Sequence, residues 1–331
     1  GNDELVIALD LETGREIWTS RSGSPTQDGT GNGPRGTPSV VDGRVYALGA
    51  GGDLVCLEAD SGQRVWSKNI LQDFGGDNIQ WKISESVLID GDRVICTPGG
   101  RQGTMVALNR NNGSVVWTSR VPGNPKAAYS SPIAVEVGGV RQYVTYTHEG
   151  VVGVRASDGA PMWGQRESAN GTANCSTPIS VGDFIFTASG YGTGGAFFRL
   201  ASGGGQTRSE VVYQSREMVN HHGGMVAKDG YLYGTNERTL LCLELRTGRV
   251  VWQERGVGKG SVTLADDHLY VRSEDGPIAL VEATPDGYSE KSRFDQPDRS
   301  GRPAWSHPVV TNGKLFLRDM DRMLVYNVRA N

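Results

Sequence analysis

The sequence predicts an all-β fold, a β-propeller of four-stranded antiparallel blades, and three observations predict it. A segment ending in Gly-x-x-x-Trp recurs along the chain. A short apolar run and a second run opened by a tight turn precede almost every copy. Glycine is the commonest residue, 47 of 331, among many Val, Thr, Tyr and Trp, which suits short strands joined by tight turns. Stacked units also answer the length of the chain, because each repeat buries its face against the next instead of filling one ordinary core.

The last two strands of the unit carry the signature. ALDLETGREIW ends at Trp18, CLEADSGQRVW at Trp66, ALNRNNGSVVW at Trp117, GVRASDGAPMW at Trp163 and CLELRTGRVVW at Trp252. Two worn copies run from Leu200 to Tyr213 and from Val281 to Phe294, and both keep an aromatic residue at the Trp position. The glycine supplies the left-handed residue of the third hairpin. The tryptophan is expected to bury its ring between blades while its indole N–H finds a backbone partner.

The first strand reads TPSVV, SESVLI, SPIAV, TPISV, GGMVA, GSVTL and HPVVT. The second reads DGRVYAL, DGDRVICT, GGVRQYVTY, GDFIFTA, DGYLYGT, DDHLYVR and NGKLFLR, mostly entered by the Asp-Gly or Asn-Gly type of pair that two-residue hairpins need. Eight third strands stand against seven each of the others. The preferred reading is an eight-bladed pattern with an incomplete first blade. The alternative is seven blades closed by the N- and C-terminal strands. Either way residues 1–331 read as a single propeller domain.

Composition excludes several function classes. The formal net charge is −4 and no block of like charges appears, which argues against nucleic acid as a partner. No apolar run is long enough to span a bilayer. Cys56, Cys96, Cys175 and Cys242 form no C-x-x-C pair. Cys56 and Cys242 share one register of two repeats and read as small buried residues. The chain begins without an initiator Met or signal peptide, so it reads as a mature form or a fragment.

These repeats resemble the pyrroloquinoline-quinone-like (PQQ-like) repeat, and stretches such as GPRGTPSVVDGRVYALGAGGDLVCL, NHHGG and QPDRSGRPAWSHPVV look closest to its planctomycete-type members. The resemblance covers nearly the whole chain. It implies a periplasmic or cell-envelope protein. Its relatives include quinoprotein alcohol dehydrogenases, which hold the quinone and calcium in an axial funnel, and the assembly lipoprotein BamB, a protein-binding scaffold without cofactor. The leading expectation is a binding scaffold for a small polar ligand or an envelope protein, with no bound quinone and no metal. The alternative is a PQQ-dependent, or carbohydrate- or alcohol-active, oxidoreductase working in the funnel.

The connections from each outer strand to the next inner strand should meet at one mouth. They offer Arg35, Trp81, Lys82, Tyr129, Asn170, Asn174, His221, His222, Lys259, Arg302, Trp305 and His307 as candidate ligand-binding residues. Trp81 and Trp305 lie outside the Gly-x-x-x-Trp frame, so repeat packing does not require them. His221 and His222 are adjacent; in an extended segment they would point to opposite faces and not share a metal. His307 opens an inner strand where it could meet one of them. Arg35, Lys82, Lys259 and Arg302 either hold an anion or pair with Asp28, Asp77, Glu85, Glu167 or Asp298. The Gly-rich Ser189–Ala196 stretch precedes no helix and reads as a hairpin, not a phosphate loop. Calcium wants six to eight oxygen ligands, and these connections are rich instead in Asn, Lys, Arg, His and Trp. The adjacent Cys–Cys pair of many quinoprotein dehydrogenases is also absent.

Overall fold

A computed structural model describes residues 3–27, 29, 31 and 35–329. It is a β-propeller. Seven blades open on an inner strand of their own, the number that the sequence kept as its alternative to eight. Six are four-stranded antiparallel sheets with strands in chain order, spanning 39–69, 88–119, 133–165, 179–215, 225–254 and 260–294. The seventh, 309–327, has three strands. What the eight-bladed pattern reads as an incomplete first blade is a two-stranded hairpin, Glu4–Leu9 with Glu16–Gly23. No inner strand precedes that hairpin among the described residues. We number the seven blades in chain order.

The chain divides into two compact units. One holds 1–166, 171–178 and 200–209; the other holds 167–170, 179–199 and 210–331. Within each, the core lies between successive sheets. In the first unit Tyr46, Leu54 and Cys56 of blade 1 pack on Val94, Cys96, Val106 and Leu108 of blade 2. In the second, Tyr233 and Cys242 of blade 5 pack on Val262, Leu269, Val271 and Val281 of blade 6. The middle strands are covered on both faces, so they read as unbroken apolar runs such as VYAL and LVCL. The outer strand touches a neighbour on one face only and alternates. Cys56, Cys96 and Cys242 are buried free thiols, as small apolar residues should be.

The signature residues act as a pair. Gly62, Gly113, Gly159 and Gly248 all have φ near +70°. Each also lies against the aromatic ring of the preceding repeat: a Cβ on Gly159 would sit 2.4 Å from the Trp117 ring, and one on Gly62 2.5 Å from Trp18. The glycine therefore serves the turn and makes room for the neighbouring ring. Trp18, Trp66, Trp117 and Trp252 then donate their indole N–H to the carbonyls of Ala59, Arg110, Ala156 and Thr284 in the next repeat, at 2.8–3.0 Å. In the worn repeat the Tyr213 hydroxyl does the same to Leu245. Trp163 departs from the expected backbone partner and donates to the Gln142 side chain.

Candidate functional site

Strand direction alternates within a blade, so two kinds of connection emerge at one edge: the segment entering the first strand and the turn from second to third. In blade 6 the pairing of Gly260 with Ser273 sets Lys259 beside Glu274. Their side chains form an ion pair at 3.1 Å. The Lys259 carbonyl also accepts the Glu274 N–H at 3.0 Å.

Glu274 is the centre of a cluster within the second unit. Its Oε1 accepts the Trp305 indole N–H at 2.7 Å and the His222 Nε2–H at 2.5 Å, besides the Lys259 ammonium. Burial works to raise the Glu274 carboxyl, but His222 and then Lys259 outweigh it and hold it at about 2, so it stays ionised. The His221 ring lies beside that of His222, with centroids 4.8 Å apart, and its Nε2 meets the Tyr191 hydroxyl at 3.1 Å. Burial first, then the nearby charges of His222 and Lys259, lower the His221 pKa to about 4. His307 contacts the His222 carbonyl through Nε2 at 2.9 Å. The Trp305 ring stacks at a tilt on His222 and remains 41% exposed.

A cleft of about 230 Å³ adjoins this cluster, lined by Glu274, Asp275, Arg299, Gly301, Arg302 and Pro303. Arg299 shapes it by donating to the carbonyls of Glu274 and Arg302. A buried network anchors the loop behind. Arg272, fully enclosed, donates to the Gln296 side chain and to the carbonyls of Ser306 and Arg318. Gln296 and Ser300 in turn donate to Asp319. Trp305 is thus presented by a segment fixed at both ends.

Among the described residues, the contacts of the first unit's candidates are local ones. Trp81 and Tyr129 pack together with ring centroids 5.8 Å apart, and the Tyr129 hydroxyl accepts the Trp81 backbone N–H. Asn174 is buried and donates to the carbonyls of Thr147 and His148. Arg35 donates to the Gly31 carbonyl. Lys82 holds a left-handed backbone conformation, φ +69°, and makes no ion pair among the described residues. Asp77 pairs with Lys126 instead, at 3.6 Å. Glu85 is buried and accepts the Thr97 N–H, and burial lifts its pKa to about 7. Asn170, in the second unit, is half-buried. Asp28, one of the acids expected to pair with these cations, lies outside the described residues.

One expectation needs correction. His221 and His222 sit in a bend, not an extended strand, so side-chain alternation does not apply and both rings turn to the same side. The sequence reading also missed Glu274, Arg299 and Tyr191. Glu274 and Tyr191 occupy second-to-third-strand turns, which share an edge with the connections from outer to inner strands. Tyr191 tips the Gly-rich hairpin, at φ +57°. That alternation of strand direction was the available signal.

Around Glu274 the neighbouring groups are the His222 imidazole, the Trp305 indole and the Lys259 ammonium, and Asp275 lines the adjoining cleft. In the first unit the buried Glu85 carboxyl is directed at a backbone N–H.

Sheet topology and repeat define a PQQ-like β-propeller. Residues 2–254 match the family described as outer membrane protein assembly factor BamB, and the chain belongs to that family. BamB of Yersinia pestis is 24% identical over 331 aligned residues, covering 93% of this chain and 77% of that protein. BamB of Salmonella typhimurium is 29% identical over 123 residues, 36% of this chain; the match spans only 28% of the Salmonella protein. The crystal structure of BamB from Moraxella catarrhalis superposes with a TM-score of 0.69 at 16% identity, over 97% of this chain and 88% of that one. No helix among the described residues is long and apolar enough to cross a membrane.

Proposed function

We propose that this chain is a binding scaffold of the cell envelope that engages another protein through the loop surface around Trp305. The family supports the envelope setting, since its name describes outer-membrane protein assembly. The carrying observation is Trp305 itself. Its indole N–H is held by Glu274, its loop is anchored through Arg272, and a large part of its surface faces solvent. A rigidly presented aromatic beside arginines is the usual make-up of an interface hot spot. The cleft with Arg299 and Arg302 alongside offers a place for an acidic or polar side chain of the partner.

The test is chemical cross-linking of the chain to envelope proteins, with peptide mapping of the linked sites, followed by affinity measurement with the purified partner. Links should concentrate on residues 295–307, and Trp305→Ala should weaken binding about 30-fold, corresponding to the ~2 kcal/mol of a hot spot. Links confined to other surfaces, with Trp305→Ala binding as tightly as the parent, would refute the reading.

A further inference from the structure

The geometry points to a divalent transition-metal site of the zinc class formed by His221, His222 and Glu274, all within the second unit. One ligand atom from each residue lies within 4.8 Å of the other two. His221 spends Nε2 on the Tyr191 hydroxyl. His222 directs Nε2 at Glu274, so a metal would take the place of the proton that Nε2 now donates. The contacts of Glu274 fall on Oε1, which leaves Oε2 to a metal.

Two imidazoles and one carboxylate suit zinc and its neighbours, and three protein ligands leave a position for water or an exogenous donor. The neighbours match the supporting partners that metal ligands need. Tyr191 would orient His221, while Trp305 and Lys259 would hold the oxygen of Glu274 that does not bind. The backbone is packed to place the rings: a Cβ on Gly190 would come within 3.1–3.2 Å of His221, and one on Gly224 within 2.7 Å of His307. Bonds of about 2.1 Å require the three side chains to draw in by roughly an ångström. The Lys259 ammonium tempers affinity by repulsion, so we infer a micromolar site, not a permanent structural zinc.

The experiment titrates the metal-stripped full chain with Zn²⁺ by calorimetry, and with Co²⁺ by visible absorption, whose ligand-field bands report nitrogen and oxygen coordination. One equivalent should bind. His221→Ala and Glu274→Gln should each weaken binding at least tenfold, while His307→Ala should leave it within about twofold. Far-UV circular dichroism of each variant separates loss of ligand from loss of fold, and His221, half-buried in a bend, is the variant most certain to fold. Failure of Co²⁺ to develop ligand-field bands would overturn the proposal. So would equal affinity in the parent and a folded His221→Ala variant.

Discussion

Replacing Glu85 with Gln should flatten the stability of this chain against pH between about 4.5 and 7. Glu85 is 2% exposed, and its one hydrogen bond to the backbone comes from the Thr97 N–H at 2.7 Å. Burial lifts its pKa from 4.5 to about 7, against the pull of the Thr97 N–H and hydroxyl. Below pH 4.5 the carboxyl is protonated in both the folded and unfolded chain, and its contribution is intact. As pH rises, the unfolded chain releases the proton first, so stability falls until the folded carboxyl ionises near 7. The span from 4.5 to about 7 corresponds to roughly 3 kcal/mol at pH 8, as an upper bound. The neighbouring Cys96 thiol adds nothing in this range, because burial holds its pKa well above the ordinary value. Gln stays neutral and keeps an oxygen for Thr97. Urea unfolding of both proteins at pH 5 and pH 8, followed by far-UV circular dichroism, measures the difference. The parent should lose about 1–3 kcal/mol more than the variant on going to pH 8. Parallel losses in the two proteins would refute the assignment of a buried titrating carboxyl.

Two further substitutions test the repeat and the loop anchor. Gly159→Ala should lower stability by more than the ~1–2 kcal/mol of a left-handed backbone alone, because its methyl would also press on the Trp117 ring; a thermal melt unchanged from the parent would contradict this. Arg272→Leu should cost about 2–4 kcal/mol by leaving Gln296 and the Ser306 and Arg318 carbonyls without their donor. It should also loosen the Trp305 loop, read as faster amide exchange over residues 296–306.

The blades were legible in the sequence to nearly single-residue detail. Asp42–Gly43, Asp229–Gly230 and Asn312–Gly313 take the paired positive φ angles that their residue types announced. The tryptophans donate to neighbouring repeats as their register required, except Trp163, where Gln142 intervenes. Which candidates come together was not legible. Trp305, Lys259, His221 and His222 converge, whereas Asn174 holds two backbone carbonyls and Arg35 donates to the Gly31 carbonyl. Glu274 went unnoticed although it organises the cluster.

The sequence alone determined the strands, the turns and the seam between repeats, because dihedral preference, period-two burial and the Gly–Trp pairing act over a few residues or one repeat length. Only the tertiary structure decided the site. It depends on how turns far apart in the chain stack at one edge of their sheets, on a bend that sets two adjacent histidine rings side by side, and on one carboxylate placed by strand register opposite Lys259. None of these distances is encoded in local preference.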